Sequence, residues 1–566
     1  MRHLRFILLI SVFLLITATC YAALDADTIF EFRSTATANM VNGGGFNSTN
    51  ATPGTDYSTY DAAEDSGTDL TCTDGDAAAP VIASLTHNFV DADEGNIIHI
   101  TETGTGFTTG WYEIVSTSLN TATLDRACGA NGALTGGDWY LGGALNVGGS
   151  LEDDFFEAIS TATAADGITV YFYNNNSTTS VTFTPSEAID ISGSGGATNP
   201  IKIIGYKTTR EDKPTGTSRP TIALGANVLT FTGSNFEVSN LILTGTGTSV
   251  ITFTGGSSKI INCKVINPST TADRQGLNSS VGGGDLILNN ESINYRGRGC
   301  IVQDSAIVAY NYFHDSDIGL RWLADNGGTV LGNLITANVT AAISNGTALT
   351  TNVNSIIGNT LYGSEAKTGT GLVIVTGVTK MRLLNNIIAG FITGVSGADA
   401  STSGYDDYND YYNNTNDVNA AANWQKGSND QALDPQFTSV AQVTGTTATY
   451  AGTTLTDAAA NFNNVVDNQD FVLIVSGTGL TTANVQYLIT SHTATTITTS
   501  QDAGESGASN WIYQVTTGRN FAIGTNLKAL GFPGAFQAGL STGYLDIGAV
   551  QRQEAGSSVT VGYSSE

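Results

Sequence analysis

The densest group of side chains that can bind anions or move protons lies between residues 295 and 321. Its members are Tyr295, Arg296, Arg298, His314, Asp315, Asp317 and Arg321. Such residues could remove a carbon-bound proton beside a substrate carboxylate, with Arg298 or Arg321 on the carboxylate and His314 or an Arg as the base. Asp315 and Asp317 would then hold Ca²⁺. The alternative, which the sequence favours, is a set of ordinary salt bridges across neighbouring turns, with His314 a solvated turn residue.

A second cluster combines carboxylates with aromatic rings. Asp406, Asp407 and Asp410 alternate with Tyr405, Tyr408, Tyr411 and Tyr412. Aromatic faces stack on sugar rings, and clustered carboxylates attract Ca²⁺, so this segment is a candidate metal and sugar site. Its spacing differs from the D-x-[DN]-x-[DN]-G calcium loop. The alternative interpretation is a structural segment with half-buried tyrosines.

Familiar catalytic motifs are missing from the sequence. There is no G-x-S-x-G, H-E-x-x-H, paired C-x-x-C or P-loop, and only five histidines. These absences argue against a serine hydrolase, a zincin, a nucleotide-binding enzyme and a metal site built on histidine. No cofactor is expected, although Ca²⁺ is possible.

The elements that would position these residues follow from a short repeat, in which an Asn stands between apolar residues. The repeated position is occupied by residues 240, 263, 290, 311, 333, 359, 386 and 409, with Cys in place of Asn at 263. The steps of 21 to 27 residues suit coils of a solenoid made of three short strands and three turns. Equivalent residues then stack about 4.8 Å apart, and the asparagines can form a hydrogen-bonded ladder. Asn also tolerates the left-handed backbone of a sharp turn. The expected coils span residues from about 165 to 425.

A second, longer repeat relates two segments on either side of these coils. Residues 88–140 resemble residues 461–513: Asn88-Phe89 matches Asn461-Phe462, and Trp139 matches Trp511. Both copies are patterned as strands separated by Gly-rich turns. We expect each to form a small all-β module.

Composition and charge limit the partners. The chain has 22 Lys and Arg against 50 Asp and Glu, a formal charge of −28. This sign makes nucleic acid an unlikely partner, favours solubility and attracts cations. Abundant Gly, Thr, Ser and Asn with few charged residues indicate β-structure with tight turns.

The N-terminus has the pattern of an export signal. Arg2 and Arg5 precede an apolar run from Phe6 to Ile16, and a small-residue cleavage site ends at Ala22. The run is too short to span a bilayer, so no transmembrane segment is expected. A lipidated Cys20 is the less favoured alternative.

Four other cysteines remain, which suits an exported protein with disulfides. Proximity in the sequence favours pairing Cys72 with Cys128 and Cys263 with Cys300, although three connectivities are open.

The coil motifs resemble the right-handed parallel β-helix repeat of pectin-lyase-like secreted bacterial proteins. Leu433-Asp434-Pro435-Gln436-Phe437 and Asp546-Ile547-Gly548-Ala549 are similar to endings common in such proteins. The resemblance implies the fold but no single activity, because lyases, hydrolases, isomerases and binders share it. The Asp-Asp, Gly-His-Gly and Arg-x-Lys pattern of its hydrolases is missing.

The sequence therefore predicts an all-β protein: a right-handed parallel β-helix solenoid with two small duplicated all-β modules. The expected parts are a signal peptide (1–22), an N-terminal extension (23–69), module copy 1 (70–144), the β-helix (145–440), module copy 2 (441–516), the end of the helix (517–552) and a tail (553–566). The favoured function is a secreted or cell-surface protein that binds a glycan, adheres or builds structure without catalysis, with the modules mediating attachment or self-assembly. The alternatives are a lyase or related enzyme for an acidic polysaccharide, possibly Ca²⁺-dependent, and a tailspike-like receptor binder, against which the export signal argues.

Overall fold

The fold was analysed in a computed structural model. It describes residues 24, 27–37, 41–49, 54–101, 105–146, 167–269, 271–279, 283–294, 296–303, 305–323, 327–336, 340–346, 353–363, 367–375, 381–397, 404–419, 424–437, 439–463, 465, 467, 470–479, 485–499, 508–520, 527 and 548–549. The predicted signal peptide, the tail at 553–566 and most of the segment at 517–552 lie outside these residues. The chain divides into two compact units, residues 1–173 with 191–202, and residues 174–190 with 203–566.

The first unit begins with a short strand that belongs to a parallel ladder. Thr28–Phe32 pairs in parallel with Thr169–Tyr173 and antiparallel with Gly45–Asn47. The rings of Phe32 and Phe172 stack with their centroids 4.7 Å apart. Single-turn 3₁₀ helices follow at Tyr57–Thr59 and Asp91–Asp93.

The rest of the first unit includes a closed six-stranded antiparallel barrel, called barrel 1. Its strands, in chain order, are Asp65–Cys72, Val81–Ala83, Ile97–Ile100, Gly110–Ser118, Thr121–Leu124 and Leu134–Leu141. They are arranged in the order first, second, fifth, fourth, third, sixth. Phe89, Tyr112 and Trp139 are among the buried residues that fill its interior.

The second unit contains three parallel sheets, called A, B and C. Sheet A in this unit consists of Ile201–Tyr206, Phe236–Ser239, Lys259–Ile261, Leu286–Leu288, Ile307–Ala309, Gly328–Leu331, Asn354–Ile357, Met381–Leu384 and Gly404–Asp407. Sheet B has ten strands: Thr182–Phe183, Thr221–Ala223, Ile242–Thr244, Lys264–Asn267, Glu291–Asn294, Tyr312–His314, Leu334–Thr336, Thr360–Tyr362, Ile387–Ala389 and Asp410–Tyr412. Sheet C also has ten: Ile189–Ile191, Leu229–Phe231, Ser249–Phe253, Gln275–Ser279, Arg298–Val302, Ile318–Trp322, Ala341–Asn345, Thr370–Ile374, Thr393–Gly397 and Asn416–Asn419. A 3₁₀ turn occupies Gly216–Ser218.

This arrangement is a parallel β-helix, as predicted. Each strand pairs in parallel with its equivalent one coil later, so equivalent residues stack in columns. The inward column of sheet A is Val238, Ile260, Ile287, Val308, Val330, Ile356 and Leu383, all buried. Short apolar side chains of this kind pack a narrow core between the three sheets.

The predicted asparagine ladder is present between sheets A and B. Its members are Asn290, Asn311, Asn333, Asn359, Asn386 and Asn409. Each Asn side-chain Nδ2 donates to Oδ1 of the next, at 2.8 to 3.0 Å. Each of the first five also donates its backbone N–H to that same Oδ1. The ladder thus satisfies buried backbone and side-chain groups together.

Two details of the expected ladder are wrong. The left-handed residue is the one before the ladder residue: Asn289, Tyr310 and Asn385 have φ near +55°. Asn240, with φ of +59°, belongs to this left-handed column, because Ser239 pairs with Ile261 and thereby aligns 240 with 262. The Asn240 side chain accepts a hydrogen bond from Asn262 Nδ2 at 2.7 Å.

The second unit also contains a closed barrel, called barrel 2. Its strands are Ser439–Ala451, Thr454–Thr456, Phe471–Ser476, Val485–His492, Thr496–Thr499 and Ala508–Asn520. They follow the same order as those of barrel 1. Phe462 and Trp511 are buried in its core, as Phe89 and Trp139 are in the first, so the modules are duplicated in fold. The strands of barrel 1 run from residue 65 to 141, where the expected module is 70–144, and those of barrel 2 run from 439 to 520, where the expected module is 441–516. Among the described residues, no helix has the length and hydropathy required to cross a membrane.

Candidate functional site

The structure distributes the predicted 295–321 cluster over two sheets and the turns between them. His314 ends a strand of sheet B, whereas Arg298 and Arg321 lie on neighbouring strands of sheet C. Arg296, Asp315 and Asp317 lie in the turns from sheet B to sheet C. The contacts of these residues form two separate groups, one around His314 and one around Arg298.

The first group is a buried charge network on the outer side of sheet B. His314 Nδ1 lies 2.5 Å from Asp315 Oδ2, and its Nε2 lies 3.1 Å from Glu291 Oε1. Lys264 Nζ is 3.0 Å from the same Glu291 oxygen. The His314 ring stacks on Tyr312 with centroids 3.9 Å apart, and His314 is only 4% exposed. Both ring nitrogens therefore already face carboxylates.

The electrostatics of this network favour the ionised form of Glu291. Burial alone would raise the pKa of Glu291, but the charge of Lys264 and the hydrogen bond from His314 outweigh it and lower that pKa to about 2. Asp315 has a left-handed backbone with φ of +52° and is almost completely buried. These features hold the imidazole in one orientation.

The second group lies on sheet C and is partly open to solvent. Arg298 Nη2 contacts Asp273 Oδ1 at 2.7 Å. Burial and, after it, the charge of Arg298 lower the pKa of Arg321, which lies on the paired strand one coil later. Asp317 accepts a hydrogen bond from the Thr340 hydroxyl, and the Arg296 carbonyl accepts one from the Asp273 amide at 3.1 Å. The pair of arginines is the part of the predicted cluster that could receive an anion.

The three predicted metal ligands occupy different positions on the last described coil. Asp406 continues the inward column of sheet A after Leu383, whereas Asp410 continues the outer side of sheet B after Ile387. Asp407 accepts hydrogen bonds from the Asn429 backbone and side-chain amides, both at 3.0 Å. Among the described residues, no group of three or more His, Cys, Asp or Glu side chains is arranged to hold a metal ion. Calcium binding at this segment stays a prediction.

Asp406 instead closes the end of the helix core. Its carboxylate accepts hydrogen bonds from the Tyr411 hydroxyl at 2.6 Å, the Trp424 indole at 2.9 Å and Asn409 Nδ2 at 2.6 Å. Burial, reinforced by the nearby Asp430 charge, raises the pKa of Asp406 to about 7. Burial likewise raises the pKa of Asp410 to about 7.

The sequence analysis did not identify three residues of these networks: Lys264, Glu291 and Asp273. A signal for two of them was available, because Lys264, Glu291 and Asp410 each follow a ladder position by one residue. Residues at one offset share a column, so the stacking of Lys264 on Glu291 could have been predicted. Asp273 lies in a turn of variable length and carried no such signal.

The outer column of sheet A forms a repetitive surface that is partly accessible to solvent. It consists of Glu237, Lys259, Leu286, Ile307, Thr329, Ser355, Arg382 and Tyr405, each paired with the next coil by coil. Ile307 is 47% exposed and Tyr405 is 52% exposed. The Tyr405 hydroxyl donates to Asp407 Oδ2 at 3.2 Å, and Arg382 next to it is exposed. The column presents an aromatic ring, a guanidinium group, hydroxyls and apolar side chains at one-coil intervals.

Comparisons with known proteins give likeness of fold at low identity. No family model and no curated protein matches the sequence. Among solved structures, pectate lyase Pel9A shares 13% identity with a TM-score of 0.36, over 70% of this chain and 91% of its own. The Dettilon tailspike protein gp208 shares 11% identity with a TM-score of 0.32, over 64% and 90%. The PL6 family alginate lyase AlyGC shares 15% identity with a TM-score of 0.31, over 50% of this chain and about half of its own length, 52%. The chain is a parallel β-helix by its own strand pairing, and none of these neighbours assigns it an activity.

Proposed function

We propose that this chain is an extracellular or cell-surface protein that binds a polysaccharide along the outer column of sheet A without cleaving it. The observation that carries the proposal is the exposure of Tyr405 and Arg382 on adjacent coils of one continuous column. An exposed tyrosine offers a flat face for a sugar ring, and a guanidinium group donates several hydrogen bonds to hydroxyls or carboxylates.

The periodicity of the column supports a polymeric ligand. Strands one coil apart are separated by about 4.8 Å. This spacing is close to the repeat of one sugar unit in an extended polysaccharide. Thr329 and Ser355 provide hydroxyl groups on the coils between Ile307 and Arg382. A chain of sugars could therefore contact several coils in succession.

The contacts of the predicted catalytic residues support binding without cleavage. A general base must reach the proton that it removes. His314 is buried, and both of its ring nitrogens face carboxylates. Of the other cluster residues, Asp315 contacts the His314 ring, whereas Arg298 and Arg321 belong to the separate group on sheet C. The predicted export signal and the formal charge of −28 suit an extracellular location.

The test is binding to a panel of neutral and acidic polysaccharides, measured by affinity electrophoresis or calorimetry. Tyr405→Ala and Arg382→Ala should each weaken binding at least tenfold. Tyr60→Ala is the matched control, because Tyr60 is a 43% exposed tyrosine of the first unit. Unchanged affinity in both sheet A variants would overturn the proposal.

A second candidate function is cleavage of an acidic polysaccharide, which the position of Arg298 and Arg321 on paired strands of sheet C favours. Lyase action would generate unsaturated uronate, which absorbs in the ultraviolet. Pectate, alginate and chondroitin should be tested with and without Ca²⁺. Product formation that disappears in Arg298→Ala or Arg321→Ala would replace binding by catalysis as the assigned function.

A further inference from the structure

Two cysteine side chains of barrel 1 are in contact. Cys72 is the last residue of the first strand, and Cys128 lies in the loop before the sixth strand. Their sulfur atoms are 3.7 Å apart, and both residues are buried in the barrel core. A disulfide has an S–S distance of about 2.0 Å, so closure needs only a small movement of the two side chains.

The backbone around both cysteines is held in place by hydrogen bonds. Cys72 pairs with Leu134 on one side and with Ile82 on the other. The Cys128 amide donates to the Gly75 carbonyl at 2.8 Å. The proximity of the sulfur atoms therefore follows from the barrel itself and does not depend on an exposed loop.

The remaining two cysteines have other surroundings. Cys263 Sγ lies 3.5 Å from the Ile261 carbonyl and 3.7 Å from the Val238 carbonyl. Cys300 stands in the inward column of sheet C between Leu277 and Leu320. All four cysteines are free thiols in this structure, and among the described residues no contact joins the sulfur atoms of Cys263 and Cys300, so the structure gives the expected pairing of these two no support.

Barrel 2 shows that the barrel fold itself does not need the sulfur pair. Cys72 pairs with Ile82, and Tyr450 pairs with Leu455 at the equivalent place in barrel 2. Tyr450 stacks on Trp511 with ring centroids 4.3 Å apart. Barrel 2 thus has an aromatic ring at the position that Cys72 occupies in barrel 1.

We propose that Cys72 and Cys128 form a disulfide when the chain folds in the presence of a disulfide oxidant, whereas Cys263 and Cys300 remain thiols. One cysteine thiolate attacks the oxidant and releases one of its thiols. The second thiolate then attacks the mixed disulfide and releases the other thiol. The two cysteines lose two protons and two electrons, and the oxidant disulfide becomes two thiols.

The disulfide between Cys72 and Cys128 should form before the core of barrel 1 is completely packed. Both cysteines are buried in the folded barrel, which hinders the approach of an oxidant, and burial, with the neighbouring Cys72, raises the pKa of the Cys128 thiol well above its ordinary value. An oxidant added during refolding should therefore close the bond much faster than one added to the folded, reduced protein.

The experiment uses the full chain with Cys20→Ser, refolded with reduced and oxidised glutathione. Free thiols are alkylated after denaturation, and peptides are mapped by mass spectrometry with and without reduction. We expect a linked peptide pair containing Cys72 and Cys128, with Cys263 and Cys300 alkylated before reduction. Alkylation of all four cysteines without reduction, or a link between Cys263 and Cys300, would overturn the proposal.

A thermal measurement distinguishes stabilisation by the disulfide from any effect of the two cysteine side chains as thiols. Reductant should lower the Tm of barrel 1 in the parent chain and leave it unchanged in Cys72→Ala/Cys128→Ala. The matched variant Cys263→Ala/Cys300→Ala should keep the reductant effect. An equal reductant effect in both double variants would contradict the assignment.

Discussion

At the scale of single residues, buried polar groups organise this molecule more than exposed ones. The ladder asparagines use their side chains to satisfy backbone groups of the preceding coil, and Asn311 and Asn333 also donate to a carbonyl of their own coil. Because these groups are shielded from water, an unmatched partner costs about 1–3 kcal/mol. The ladder is therefore sensitive to single substitutions in a way that surface asparagines are not.

The middle of the ladder tests this sensitivity. Asn333→Ala removes the oxygen that accepts from both Asn311 N–H and Asn311 Nδ2, at 2.9 Å each. We expect the free energy of unfolding to fall by about 2 kcal/mol, since the buried Asn311 N–H loses its acceptor, whereas Asn311 Nδ2 keeps the carbonyls of Ile287 and Ala309. Chemical denaturation measures the change. Asn419→Ala, at an exposed asparagine, is the control and should shift it by less than about 0.5 kcal/mol.

The carboxyls of the last described coil make its stability depend on pH. The pKa values of Asp406 and Asp410 are raised by burial to about 7, so in acid both are protonated in the folded chain. Protonation of these carboxyls stabilises the folded chain fully below their ordinary pKa, and this stabilisation is lost as the pH rises through about 7. Its size is about 1.4 kcal/mol for each unit by which burial raises the pKa. Hydrogen exchange over Gly404–Tyr412 should show stronger protection at pH 5 than at pH 8. Asp410→Asn should reduce the difference and Asp190→Asn should not; equal protection at both pH values would contradict the burial argument.

At the scale of elements, the coil period could be predicted from the sequence and the site could not. Stacking requires only that apolar and Asn positions recur, and this recurrence is visible in the chain. Whether Arg298 and His314 face the same side depends on where each strand starts, because a shift of one residue reverses the direction of a side chain. The same one-residue uncertainty misplaced Asn240.

A further element-scale rule appears only in the structure, as a column of small residues on sheet C. A Cβ added at Gly276, Gly299, Gly371 or Gly394 would lie 2.5 to 2.8 Å from a carbonyl oxygen of the next coil. At these four glycines, neighbouring coils therefore approach too closely for a larger side chain, whereas the column begins at Val250 and ends at Asp417. The equivalent position between Gly319 and Gly371 is Ala342, so a methyl group can be accommodated at some coils.

This column predicts a graded response at Gly299. Gly299→Ala should lower the free energy of unfolding by about 1 kcal/mol and Gly299→Val by about 3 kcal/mol, because the added atoms force adjacent coils apart. Denaturation midpoints measure both. At Gly110 an added Cβ meets only the Tyr112 ring, at 3.4 Å, so Gly110→Ala is the control. A valine that is tolerated as well as alanine would show that the coils can separate at little cost.

At the scale of the whole molecule, three cores are built by different means. The β-helix stacks short apolar columns, whereas each barrel closes around its own aromatic residues. Duplication is evident in the shared strand order of the barrels, yet their cores diverge at Cys72 and Tyr450. Because the cores are separate, we expect a destabilising substitution in one core to leave the other cores folded.

Substitution of one barrel tryptophan tests this independence. Trp511→Ala removes a fully buried ring that stacks on Tyr450, and a buried Trp→Ala change typically costs about 3–5 kcal/mol. Exchange measured by mass spectrometry should increase across Ser439–Asn520 and remain unchanged across Asp65–Leu141. Trp139→Ala should give the reverse pattern, because Trp139 is buried in barrel 1. Increased exchange in both barrels after either substitution would mean that the two modules unfold as one cooperative body, and the independence inferred from their separate cores would be rejected.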